Sequence, residues 1–196
     1  RVRVFIAEKG IDIPVQQVDL ASGEQLGEAF LARNPDATVP VLELDDGSCL
    51  TETLAICDYI ESQHPEPPLL DGDAKARAQV LMWNARIEQQ GLAAVAEAFR
   101  NFSKGFANRS LTGPHNFEQI PELVTRGRTR AELFLHKLDE QLEGRDFVLG
   151  EALTMADITA LVVVDMAGWI KLPVPEACDN LSRWHESMSA RPSARL

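Results

Sequence analysis

The chain has 196 residues, 45% of them apolar, which is enough to bury a core in one large domain or two small ones and excludes global disorder. Thirty acidic against nineteen basic residues leave a formal charge of −11. That balance repels phosphate backbones and anionic lipid, and no local basic patch offsets it, so nucleic-acid and membrane-surface functions are set aside.

Residues 1–10 have no initiator Met and read as a helix already under way, ending at Gly10 as a C-cap, so an upstream segment is expected to be missing. Pro14 then opens a short β-branched run over 11–20, predicted as a strand. Leu26, Phe30 and Leu31 fall at helical spacing and predict a second helix over 23–33, stopped by Pro35. Residues 38–44 and 48–50 flank Asp45-Asp46-Gly47 and predict a β-hairpin. A third helix is expected after Thr51, through Leu54, Ile56, Tyr59 and Ile60, until the prolines 65, 67 and 68 end regular structure.

Beyond Lys75 the pattern is helical. Val80, Trp83, Ile87, Ala94 and Ala98 form one stripe, and Ala131, Phe134, Leu135, Leu138 and Leu142 another, with a polar loop over 105–121 between them. The apolar run 158–170 is interrupted by Asp165 and is too short to span a bilayer, and no leader-like segment precedes the start, so a soluble protein is expected. These patterns divide the chain into an α/β unit over 1–64, a linker over 65–73 and an all-α unit over 74–196.

Three local features carry chemistry. Val39-Pro40 sits at the head of a strand that otherwise reads as buried. Proline is tolerated there as an ordinary trans residue at a strand start, or with a cis peptide that would turn the Val39 backbone toward a ligand. Thr51-Glu52-Thr53 lies where a helix begins, and its hydroxyls and carboxylate either cap that helix or hold the two ends of an amino-acid zwitterion. Thr154 and Asp157 form a capping box in front of the apolar helix, where a structural role is preferred.

In this order and spacing the features resemble the cytosolic glutathione S-transferase family over essentially the whole chain. The carriers are N-P-x-x-x-V-P-V-L at 34–42, D-G-x-x-L-x-E-[ST] at 46–53 and T-x-A-D-I at 154–158. The 1–10 helix and the stretches 82–84 and 99–101 are most similar to a bacterial and fungal branch of that family. The resemblance implies a thioredoxin-like N-terminal domain lacking its first strand and catalytic loop, followed by an all-helical substrate domain.

It further implies that the Val39 backbone, before a cis Pro40, pairs with the cysteinyl unit of glutathione, and that Glu52 and Thr53 hold the γ-glutamyl end. Most family members carry Ser where Thr53 stands, and Thr keeps the hydroxyl. The implied chemistry is thiol activation. A thiol of pKa about 8.5 is only about 3% ionised at neutral pH, and lowering it by about two units, or about 2.7 kcal/mol, makes roughly three quarters of it thiolate. The group that does this is expected upstream of Arg1, with helical-domain groups or a bound water, used by some relatives, as the alternative.

The thiolate would attack a small hydrophobic electrophile lying against the helical domain, for which Arg100, Asn101, Phe102 and Phe106 are the candidates, with a core role for Phe99 and Phe102 and a solvated Arg100 equally open. A homodimer is implied by the resemblance alone. The alternatives are a glutathione-dependent thiol-disulfide reductase or peroxidase, and a non-catalytic interaction module on the same fold.

Cys49, Cys57 and Cys178 are odd in number, widely spaced and without a CxxC pair, which suits a reducing compartment, so the cytoplasm is expected. Cys49 and Cys57 read as inert buried residues. The four histidines, His64, His115, His136 and His185, are scattered, and no metal site is assigned.

Overall fold

The computed structural model describes residues 1–70 and 72–195; Asp71, within the expected linker, and Leu196 lie outside the described residues. Helix α1 (Val2–Glu8) ends where the sequence predicts, with Gly10 in the left-handed conformation at φ +65°. The segment after it corrects the strand expected over 11–20: it is irregular and unpaired. A strand is held by a neighbour's backbone groups, and no described segment offers them here. Ile11 and Ile13 are instead held by packing on the core beneath.

The second predicted helix is also broken. A 3₁₀ turn (Glu24–Leu26) and a four-residue α2 (Glu28–Leu31) are separated at Gly27, which adopts extended dihedrals. The hairpin forms as expected but shorter, with β1 (Leu42–Glu43) and β2 (Cys49–Leu50) antiparallel in the register Leu42 opposite Leu50. Pro40, which has no N–H, keeps the ladder from reaching back toward Thr38. Helix α3 (Thr53–Gln63) follows directly.

Helices α4 (Ala74–Arg86) and α5 (Ala93–Phe102) are joined by one π-helical segment, Ile87–Leu92, into a continuous path. Helices α6 (Pro121–Gln141), α7 (Met155–Trp169) and α8 (Asp179–Ser189) complete the bundle. Both predicted stripes are buried, the second wholly within the bundle core. Two glycines let the helices approach: a Cβ on Gly127 would lie 2.7 Å from the Ala94 carbonyl oxygen, and one on Gly91 2.6 Å from the Phe134 ring. Among the described residues no helix is long and apolar enough to cross a membrane.

A second apolar core joins the two parts of the chain, with Phe5, Ile56 and Ile60 meeting Leu70, Val80, Met155 and Ile158. Beside it lies a buried ion pair. Lys9 Nζ is 2.6 Å from Glu61 Oε2, and the two side chains are only 0% and 3% exposed. The ammonium also donates to the Pro67 carbonyl at 2.6 Å, while Glu61 Oε1 accepts from the Leu69 and Leu70 amides at 2.9 and 3.1 Å. Leu69 in turn accepts from the Met155 amide at 2.8 Å, so the segment after the prolines is bonded to both α3 and α7.

The capping box is present, and Asp157 does more than cap. Its fully buried carboxylate accepts from the Thr154 amide at 3.0 Å, the Val148 amide at 2.8 Å and Trp184 Nε1 at 3.1 Å. Burial pushes its pKa up, against the pull of those donors. Asp157→Ala is expected to destabilise the fold by at least about 2 kcal/mol, beyond a simple cap, since the Val148 and Trp184 donors are left buried at about 1–3 kcal/mol each. Urea denaturation measures this.

The C-terminal turn closes back onto α1 through Arg191, which donates to both carboxylate oxygens of Glu8 at 2.7 Å. These bonds, and then Ser193, hold the Glu8 carboxyl below its ordinary value of 4.5. A depressed carboxyl contributes stability that is full above the unfolded pKa and is lost as pH falls through the folded one. The thermal midpoint should therefore fall below about pH 4.5 more steeply in the wild type than in Glu8→Gln.

Candidate functional site

The hairpin register sets the geometry of the first site. With Leu42 opposite Leu50, the segments running to Val39-Pro40 and to Glu52-Thr53 leave the same end of the hairpin. Two devices shape that end. The buried Asn34 side chain donates to the Thr38 carbonyl at 2.8 Å and to its hydroxyl at 3.0 Å, and accepts from the Asp36 amide at 3.1 Å. It thereby anchors a loop in which Ala37 is forced to φ +54°. The Val39-Pro40 peptide is cis, and the Val39 side chain is exposed.

On the facing segment Glu52 occupies φ +65°, ψ +122°, a region costly for a residue with a side chain, by about 1–3 kcal/mol. Its carbonyl accepts the Ile56 amide at 3.0 Å, starting α3, yet no side chain caps that helix. Thr51 and Thr53 thus do not act as ordinary caps. The first amides of an eleven-residue helix and its positive dipole end remain beside the exposed Glu52 carboxylate and the buried Thr53. An anionic and a cationic group of one ligand match that pairing.

The second group of candidates divides. Arg100 donates to the carbonyls of Arg109, Ser110 and Leu111 and stacks 4.4 Å over Phe106, and burial lowers its pKa. Asn101 donates to the Glu97 carbonyl at 2.8 Å and accepts the Ile120 amide at 2.8 Å, which fixes the start of α6. Both polar side chains are thus engaged in holding the 103–120 loop. Phe106 packs edge-on against Phe99, with centroids 5.4 Å apart, while Phe102 is 53% exposed. That loop folds toward the first site: a Cβ on its buried Gly113 would lie 3.6 Å from the Asp36 carbonyl oxygen.

Two cavities accompany these elements. One of about 350 Å³ opens beside Asn101 and is walled by Leu111, Phe117, Ile120 and Leu123. Another of about 390 Å³ lies at the turn end of the hairpin, between Asp45, Asp46 and His64, away from Glu52. The roles of Asn34 and Ala37 were missed in the sequence, although Asn34-Pro35 carried a signal for the first. Among the described residues no group of three or more His, Cys, Asp or Glu is placed to hold a metal ion.

Residues 1–63 match the glutathione S-transferase N-terminal domain family, and residues 110–192 the C-terminal domain family. Glutathione S-transferase 2 of Saccharomyces cerevisiae is 36% identical over all of this chain and 82% of its own length. The crystal structure of Gtt2 from the same yeast superposes with a TM-score of 0.89 at 34% identity, covering 99% of this chain and 92% of that one. A glutathione S-transferase domain-containing protein of Marinobacter aquaeolei gives 0.90 at 34% identity, covering 98% and 92%. The chain belongs to the glutathione S-transferase family.

The cysteines differ sharply in setting. Cys57 is buried, and burial pushes its thiol up to about 12. Cys178 is buried 3.3 Å from His136 Nδ1, its pKa raised by burial and by Asp139 and Asp179. Cys49 is half-buried in β2. Dithionitrobenzoate at pH about 8 should therefore label Cys49 first, with Cys57 reacting only on unfolding. Labelling of Cys57 in the native protein would contradict this environment.

Proposed function

We propose that this glutathione S-transferase holds glutathione along the Val39-Pro40 segment and the start of α3, and conjugates it to a small hydrophobic electrophile. The observation that carries the reading is the strained, uncapped α3 start. Glu52 stands in a costly backbone conformation with its carboxylate free to face solvent, beside helix amides that no side chain takes up. Strain of this kind persists where a site requires it.

In this reading the Val39 backbone pairs with the cysteinyl unit as an added strand would. The Glu52 carboxylate takes the ammonium of the γ-glutamyl end, and the α3 amides with Thr53 take its carboxylate. The helical part, proposed as 74–196 beyond the 65–73 linker, supplies the electrophile side. There Phe102 and Phe106 offer apolar faces, while Arg100 and Asn101 act by positioning the loop. Conjugation forms one S–C bond as the thiolate attacks, the electrophile either losing a leaving group with its bonding electron pair or opening a π bond or strained ring that then takes up a proton, while the thiol proton leaves to solvent or to a nearby base. A homodimer working in the cytoplasm completes the proposal.

Isothermal titration of the full chain with glutathione tests it. Binding in the micromolar-to-millimolar range should weaken roughly ten- to hundredfold in Glu52→Ala, the scale of one charge-assisted contact. Unchanged binding in that variant would remove Glu52 from the site, and a folded wild type that binds no glutathione would remove the site itself.

A further inference from the structure

Glutathione carries three units in line, and the proposed site gives places to two of them, the γ-glutamyl end at Glu52 and the cysteinyl unit at Val39. The third, the glycyl unit, bears a second carboxylate. With the γ-glutamyl end at Glu52, the glycyl end lies on the far side of Val39, beside the 34–38 loop. That loop offers it no cation: Asp36 is an exposed acid, and Arg33, just before it, lies 3.6 Å from Glu43.

The 103–120 loop brings one. Its buried Gly113 packs against the Asp36 carbonyl, with room for a Cβ only at 3.6 Å. Arg109 donates Nη2 to the Gly113 carbonyl at 3.1 Å, which places its guanidinium at this contact. The rest of that group is unspent. Its Nε is buried without a hydrogen-bond partner, and among the described residues no carboxylate lies within ion-pair distance of it. A guanidinium has five donors in a planar fork, and a buried donor left unmet is a cost that a ligand can relieve.

A second guanidinium stands behind the first. Arg100 gives its donors to loop carbonyls, among them those of Ser110 and Leu111, and no acid neutralises it either. Its pKa is lowered by burial and then by the nearby charge of Arg109. The backbone that carries Arg109 is fixed as well, since the Phe117 amide donates to the Asn108 carbonyl at 2.9 Å and the Ser110 amide to the Phe117 carbonyl at 3.1 Å. Two like charges held together without a counter-charge, in a chain of net charge −11, favour one small anion at that point. A carboxylate matches the guanidinium fork in shape.

We propose that Arg109 binds the glycyl carboxylate of glutathione, so that the helical part of the chain selects thiols with a free C-terminal acid. Arg100 supports it through charge and loop position, not by contact. The assignment rests on the reading of Val39 and Glu52 as the glutathione site and adds the specificity of its third end.

Calorimetric titration of the full chain with glutathione and with glutathione monoethyl ester, whose glycyl carboxylate is blocked, tests it. The wild type should bind glutathione about tenfold more tightly than the ester, the scale of one charge-assisted contact in a partly exposed place. Arg109→Gln should bind the two alike, at about the affinity of the wild type for the ester, and Arg109→Lys should keep the preference. If Arg109 only held the loop, its loss would weaken both ligands together and leave their ratio unchanged, and that result would overturn the proposal. So would equal affinity in the wild type, a comparison that needs no variant. A folded wild type that binds neither ligand overturns the glutathione site itself, whereas one that binds both alike overturns the role of Arg109 alone.

Discussion

The Asp157 carboxylate has no access to water, and the helical part of the chain is arranged so that it never needs any. It accepts from the start of its own helix, from the turn at Val148 and from the indole of Trp184, binding three separate segments at one point. A buried carboxylate is costly unless every lone pair is met, so this network is high-stakes. Once it is met, α7 has a defined start and α8 a defined position, and Met155 can offer its amide to the linker at Leu69. The bundle and the Leu69 segment thus share one anchor.

The Lys9-Glu61 pair extends that logic to the other part of the chain. Removing two charges from water repays its cost only when further hydrogen bonds complete the geometry. Here the Pro67 carbonyl and the Leu69 and Leu70 amides do so. The pair joins the end of α1 to the end of α3, and the proposed glutathione site lies at the opposite, N-terminal end of α3. A helix held firmly at its last turn can carry a strained residue at its first. Glu52 is that residue, and Ala37 is its counterpart on the facing loop. Two of the four non-glycine residues with positive φ among those described, Ala37 and Glu52, thus lie on the segments that leave one end of the hairpin, away from the ion pair.

Side chains near the ends of α5 and α7 are of two kinds. Arg100 spends its donors on the backbone of the 103–120 loop, and Asn101 donates to the Glu97 carbonyl of its own helix while accepting the Ile120 amide, so both shape a surface. Phe102 and Trp169 do the reverse, exposing apolar rings that packing could have buried. Exposure and partnering, not residue type, separate the two kinds.

Periodicity and turn chemistry were enough to read the two helical stripes, the Asp45-Asp46-Gly47 hairpin, the end of α3 before the prolines and the capping box, because each follows from contacts between residues close in the chain. The motifs around Val39-Pro40, Glu52-Thr53 and Thr154-Asp157 were enough to suggest the family. Residues 11–20 misled because β propensity describes a residue's fitness for a strand and says nothing of whether a partner lies alongside. The 23–33 helix misled because Gly27 breaks it where local spacing alone would continue it. The Lys9-Glu61 pair, the Trp184 bond to Asp157 and the meeting of Phe102 with Lys171 join residues far apart in sequence. Their burial and charge balance exist only once the chain has folded, and tertiary packing alone decided them.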